Sequence, residues 1–419
     1  MKIKKFFGNK YIFIAVVILF AIQIFTRFGY PDTKSGFGWD QIDNAWAAKN
    51  IIHDHKLPLV GMQAKGNTGF YIGPYYYYLI TPFYLATNLD PIASIAIAGV
   101  TSLLMFFLVF FLIKDMINER VALIALFFEV FSVYIISLDR VQWPVNFIAP
   151  ISLLVFYSLF KIANGKSKYI LLLAAAFGFS LHIHFTSVFY IVLIGLVVPL
   201  FPRNKKTVRH LLYSLPILIF FLVPIVIATV GNAKAANYIG STFLGIHLRR
   251  ILQVAKDGFI EFEGITNLQF AKQIGFLLFP LYLLLLLWKK RTRKEVTLAY
   301  LSFVWIIIPW FAFGTYNGEI TNYYFSITRP VVLLTLGYLI YRVINLKKIA
   351  GYSFVAIVTC WYMYVNLTQF FELRSVGLSH YKESVREKIK KGQVVQFSQG
   401  DPESYLYFIY KERYDRQKK

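Results

Sequence analysis

The chain has a single cysteine in 419 residues, Cys360, and it lies inside an apolar run. An intrachain disulfide, a cysteine-rich zinc site and a dithiol redox pair are therefore excluded. Acidic residues are also scarce, 21 against 44 lysines and arginines, which leaves a net charge of +23. That excess does not build a nucleic-acid groove. A phosphate-binding patch needs its charges on one soluble face, and these are scattered in clusters between apolar runs. The glycines of segment 65–73 match neither a P-loop nor a dinucleotide fingerprint, and no internal repeat, heptad run or low-complexity segment occurs.

What the chain has in abundance is hydrocarbon: 57% of its residues are hydrophobic and 18% aromatic, with a mean hydropathy of +0.56. This is too apolar for a soluble domain and predicts an all-α polytopic membrane protein. Residues 11–26 follow four lysines, as in a signal peptide, but no small-residue cleavage site comes after them, so a retained first span with a cytoplasmic amino end is expected. Further apolar runs at 92–113, 121–138, 145–160, 169–181, 187–201, 211–230, 274–288, 298–313, 330–341 and 349–370 are each near or below the ~20 residues of a span. About eleven crossings result. Basic clusters at 114–120, 161–168, 203–209, 289–294 and 342–348 place those segments inside. Because two of them flank 169–201, that stretch crosses an even number of times and turns at His182 and His184 on the outer side. The carboxyl end is then extracytoplasmic, and the membrane is the plasma (inner) membrane.

The first outer loop, 28–91, holds the polar residues that hydrocarbon would reject, among them Asp40, Gln41, Asp43 and Asn44. Asp40, Asp43, Asn50 and Asp54 recur at helical spacing, opposite Ile42, Trp46 and Ile52. Two readings stand side by side. Close carboxylates raise one another's pKa and suit one of them to general-base work; equally, Asp40 caps the helix and Asp43 sits in its favourable first turn. Segment 75–85, with Tyr75 and Tyr76, is too short to cross and is expected along the surface, and Asp90-Pro91 has the chemistry of a helix start. The loop is thus expected to be structured. Later outer segments carry Arg249, with a short surface helix expected over 241–254, and then Tyr324 and Arg329. Residues 374–419 alternate like a strand and then turn helical, a small outer appendage on a membrane domain of residues 1–373.

Asp139 ends the third run on the same side as Asp40, where it either completes an acidic pair or binds Arg140 in an interfacial ion pair. His182 and His184, at i and i+2, make a poor helical ligand pair, so no metal is assigned. Glu129 lies midway along an apolar run, and an intramembrane carboxylate keeps a transporter reading open.

One long outer loop after a first span, opening on WDQ and continuing GPYYYYLITPFYLATNLDP, resembles the GT-C glycosyltransferases. Within them the chain is most similar to bacterial relatives of the protein O-mannosyltransferases and of the lipid A aminoarabinose transferase. The likeness runs over about residues 10–341 and rests on three patches: 39–50, 73–91, and 139–150 with 181–186. It implies transfer of a sugar from a polyprenyl phosphate to an acceptor hydroxyl at the outer membrane face, with inversion. By this resemblance Asp40 is the base and Asp139 the second acidic residue. The substrate-binding candidates are Gln41, Asp43, Tyr75, Tyr76, His182, His184 and Tyr324, with Lys65, Arg249 and Arg329 as cations for the donor phosphate. The chain departs from the pattern twice, with Asp-Gln where relatives have Asp-Glu, and with Tyr71-Ile72-Gly73 where they carry a lysine. The partners implied are the bilayer, the lipid-linked donor and an acceptor of unread identity, and no cofactor is implied. A flippase would need a polar path through the bilayer, and a polysaccharide polymerase or ligase would place its key arginines in a large late loop.

Overall fold

The computed structural model describes residues 9–418 except 64–67, 231, 233, 235–236, 238–247, 289–291, 317, 347, 376 and 399, and leaves the side chains of 248–249, 348 and 414–418 undescribed. The apolar runs become helices: α1 (Lys10–Phe28), α5 (Ile92–Met116), α6 (Glu119–Phe131), α7 (Val133–Asp139), α8 (Ile148–Ala163), α9 (Tyr169–Ser180), α10 (Val188–Val197) and α11 (Lys205–Thr229). The first loop between α1 and α5 contributes α2 (Pro31–Lys34), α3 (Trp39–His53) and α4 (Tyr75–Ala86), so it is structured as expected, and the 75–85 segment is helical. Asp90 accepts the amide hydrogen of Ile92 at 2.9 Å, the capping bond its sequence predicts. Helices Ala271–Leu287, Arg293–Gly314, Arg329–Leu346 and Lys348–Glu372 complete the bundle.

The α8 span is the most enclosed, while α11 and Lys348–Glu372 turn most of their apolar side chains outward. Leu212, Ile219, Phe220, Ile357 and Phe354 are all exposed. Each such side chain gains about 1.5–3 kcal/mol on leaving water, so this surface faces lipid.

Among the described residues seven helices are long and apolar enough to cross a membrane, and nine if two bent pairs each count as one span. The eleven expected crossings are not reached, because α9 and the apolar helical stretch Phe185–Leu200 are shorter. The 12 residues of α9 rise only about 18 Å against the roughly 30 Å of a hydrocarbon core.

The break between α6 and α7 bends the chain by 66°. Ser132 ends one helix and caps the next, its hydroxyl accepting from the Ile135 amide at 3.3 Å. The freed groups find partners from elsewhere. Arg27, in the last turn of α1, donates to the carbonyls of Val130 (2.6 Å) and Glu129 (2.8 Å), and Asn366 accepts from the Val133 amide (2.9 Å). A buried helix end without such partners would be costly.

The tail forms helices Leu378–Lys390 and Pro402–Lys418, with no strand among the described residues between them where one was expected. It folds back on the first loop: the Tyr405 hydroxyl donates to the Leu89 carbonyl (2.9 Å), and Lys382 pairs with Asp90 (2.7 Å). The Lys34 ammonium donates to the carbonyls of Phe370, Phe371 and Leu373 at 2.8–2.9 Å, closing the end of Lys348–Glu372. First loop and tail therefore share one face of the bundle, which requires an even number of crossings between them.

Candidate active site

The start of α3 is capped by Gln41, not by Asp40. Gly38 is the N-cap, and the Gln41 side-chain oxygen accepts its amide hydrogen at 2.8 Å. The capping reading of Asp40 is thereby corrected. Asp40 in the first turn, Asp43, Ala47 and Asn50 share one face of α3, at spacings of three, four and three, and line a cavity of about 800 Å³. Asp54 is drawn out of this row by Lys49 at 3.1 Å.

Asp43 accepts a hydrogen bond from the Tyr77 hydroxyl at 2.7 Å. Asp40 accepts none from any described residue. Burial raises the pKa of Asp40 above the usual carboxylate range, and the charge of Asp43 raises it further. Burial also raises Asp43, opposed by the Tyr77 hydrogen bond. The chemistry on offer is one unengaged carboxylate with raised proton affinity beside a second, tethered one.

The other walls come from distant stretches. The Gly61 amide donates to the Ile72 carbonyl (2.8 Å) and the Ile72 amide to the Met62 carbonyl (3.1 Å), a pairing that presents Gln63 and Tyr71. Trp39 and Trp46 form one rim, and Phe397 and Gly400 of the tail face them. Trp46 was expected on the side of α3 away from Asp40; it stands at the edge of the cavity, held edge-on by Tyr405 (5.1 Å between ring centres) and Phe397 (5.6 Å).

Of the catalytic and substrate-binding candidates named from sequence, Asp40 and Asp43 alone line this cavity among the described residues, joined by Asn50 of the same helical row. Gln41 is consumed in structure, donating to the Gln142 carbonyl at 2.7 Å, while Gln142 holds the buried Tyr76 hydroxyl at 2.6 Å. Tyr75 stacks on His182 at 4.2 Å, and His182 lies so close to Gly73 that a Cβ there would fall 1.8 Å from its Nδ1. Only glycine fits there. His184 caps the turn Phe185–Ser187 and packs at 5.0 Å on Tyr324, itself buried. Lys65 and the side chain of Arg249 lie outside the described residues, as does 241–247 of the expected surface helix, whose remainder is Leu248–Asp257.

Asp139 does not join Asp40, and its ion pair is not with Arg140. It meets Arg27 at 3.1 Å, while Arg140 donates to the carbonyls of Thr26 and Gly29, both at 2.7 Å, at the end of α1. Arg329 is likewise engaged, by Glu261 at 2.9 Å with Ser326 beside it at 3.0 Å. Glu129 lies fully buried near both pairs, and its carboxylate oxygens have no partner among the described residues. This interior cluster is separate from the cavity, whose described lining contains no cation. No group of three or more His, Cys, Asp or Glu that could hold a metal ion occurs among the described residues.

The residues missed from sequence are Gln63, Tyr71, Tyr77, Phe397 and Gly400. The signal for the last two was the apolar pattern of Val394 and Phe397 with the turn chemistry of Gly400-Asp401-Pro402, which has no evident use in a free tail.

No family model matches the sequence, and no curated protein is similar to it. Solved structures do match. ArnT from Cupriavidus metallidurans bound to undecaprenyl phosphate superposes with a TM-score of 0.56 at 12% identity, over 94% of this chain and 74% of that one. The oligosaccharyltransferase of Archaeoglobus fulgidus, in complex with Zn and sulfate, gives 0.58 at 13% identity over 92% and 58%; tethered to an acceptor peptide with the NVT sequon, it gives 0.56 at 15% over 94% and 60%. The chain thus spans about three quarters of the former and under two thirds of the latter. Likeness at this level of identity carries the fold alone: this chain shares the polytopic helical fold of these ArnT and oligosaccharyltransferase structures.

Proposed function

We propose that the protein is a membrane glycosyltransferase that moves a sugar from a polyprenyl-phosphate donor to an acceptor hydroxyl, with Asp40 as general base. The acceptor oxygen attacks the anomeric carbon from the face opposite the phosphate. The bond from that carbon to the phosphate oxygen breaks, its electron pair leaves with the lipid phosphate, and the acceptor proton passes to Asp40. Configuration inverts. The observation that carries this reading is the Asp40 carboxylate, unengaged and of raised pKa, in a cavity on the face that collects the first loop and the tail. The fold neighbours support it, since one holds undecaprenyl phosphate and another an inhibitory peptide with a dolichol-phosphate. We place the amino end in the cytoplasm, the cavity and tail outside, and the whole in the inner membrane, where a lipid-linked donor reaches the cavity and cytosolic nucleotide sugars do not.

Asp40→Asn tests this. Since Gln41 supplies the cap, the variant should fold and melt like the parent while turnover of the donor falls on the order of 10²–10⁴-fold. Wild-type protein that turns over no polyprenyl-phosphate sugar, or Asp40→Asn protein with near-normal turnover, would refute it.

A further inference from the structure

Two large aromatic rings at the cavity are held in place yet uncovered. Trp39 and Phe397 are each 71% exposed. Neither is loose: a Cβ at Gly400 would come within 2.4 Å of the Trp39 ring, and Phe397 meets Trp46 edge-on at 5.6 Å. Gly400 has φ +82, a conformation that glycine adopts without strain and that brings the tail backbone against Trp39. A second observation points the same way. The Trp46 indole N–H is buried and has no acceptor among the described residues, although the ring borders the cavity. An unmet buried donor is costly unless something supplies an oxygen.

We propose that Phe397 and Gly400 of the tail form the acceptor wall of the Asp40 cavity and that Trp39, Trp46 and Phe397 cradle a pyranose ring, making the acceptor a carbohydrate hydroxyl. This rests on the transferase reading of the same cavity. The chemistry fits a sugar on each side. The C–H face of a pyranose lies against an aromatic ring, its hydroxyls donate to carboxylates and to the amide oxygens of Asn50 and Gln63, and a hydroxyl oxygen accepts from Trp46. A cavity of about 800 Å³ is large for one ring and suits two, a donor sugar and an acceptor. The two carboxylates and the absence of a described cation disfavour an acidic acceptor group. A peptide acceptor would lean on backbone hydrogen bonds, and the one bridge here, Gln63 to Tyr71, is already paired.

The test uses the full chain in nanodiscs and methyl pyranosides of glucose, galactose and mannose as probes. Binding is read by saturation-transfer NMR without donor, and transfer is read with a polyprenyl-phosphate sugar. At least one pyranoside should bind and accept. Phe397→Ala should weaken it roughly three- to tenfold, in KM and in binding alike, and Trp39→Phe less than Trp39→Ala. Val394→Ala, exposed on the same tail and off the cavity, should change neither. A pyranoside that binds wild type and is lost from Phe397→Ala upholds the cradle even if no donor is consumed, which would sink the transferase reading alone. No pyranoside binding, affinity indifferent to Phe397 and Trp39, or transfer to a serine peptide in place of every pyranoside would overturn the inference.

Discussion

Replacing Arg27 with methionine keeps the length of the side chain and removes its charge and its donors. The structure sets the size of the effect. Arg27 is fully enclosed and makes four bonds: to Asp139 (3.1 Å), Thr26 Oγ1 (2.9 Å) and the carbonyls of Val130 (2.6 Å) and Glu129 (2.8 Å) at the α6–α7 break. Breaking a buried ion pair from one side costs about 3–5 kcal/mol, because the surviving charge is stranded. Here Asp139 would be stranded beside Glu129, and two carbonyls would lose their donor as well, so Arg27→Met belongs at the upper end of that range. Asp139→Asn should cost less than half as much, since the guanidinium retains three acceptors and its neighbour is neutral. In the double variant no carboxylate is stranded, so it should be more stable than Arg27→Met alone. Thermal unfolding followed by tryptophan fluorescence in one detergent gives the three midpoints. An Arg27→Met midpoint equal to wild type, or a double variant as unstable as the sum of the singles, would refute this account of the break.

Asp43→Asn removes the charge that, after burial, does most to raise the pKa of Asp40. A general base is active when deprotonated, so the acidic limb of kcat/KM should move to lower pH in this variant; a limb that stays or rises would show that the two carboxylates do not sense each other. Arg329→Gln strands Glu261 in the same way as Arg27→Met strands Asp139, and its expected effect is a lower unfolding midpoint with donor KM little changed in the protein that folds. A raised donor KM at unchanged stability would return Arg329 to the phosphate.

Most helices were legible because hydropathy reports directly on length and burial, and the surface helix after Gly73 was legible from its tyrosines. The 66° break was not. Ser132 sits in an unbroken apolar run, and the groups that make the break tolerable, Arg27 and Asn366, come from 103 residues before and 233 after the groups they bind. The same limit applies to the charged side chains. Asp139 stands next to Arg140 in sequence, yet its partner is 112 residues away, because the end of α1 needs Arg140's five donors more than a carboxylate does. The sequence leaves Asp40 open between base and helix cap; the cap falls to Gln41, since glutamine at the third helical position can cap backward when glycine precedes the helix. In the tail the helical end expected from sequence is present as Pro402–Lys418, while the alternation before it forms no strand: Phe397 there lines a cavity, which leaves the same apolar pattern.

The contact between Gly400 and Trp39 also has a consequence for biogenesis. Trp39 and Asp40 leave the ribosome some 360 residues before the segment that walls their cavity. At about 5–20 residues per second that interval is roughly 20–70 s, during which the early loop stands without the tail and Asp40 is uncovered on one side. A nascent chain therefore carries both carboxylates long before the tail can wall their cavity, and chains truncated ahead of residue 392 would keep the carboxylates while lacking that wall. Quality control that monitors insertion alone would pass such molecules; only the docking of the tail distinguishes them from the finished protein.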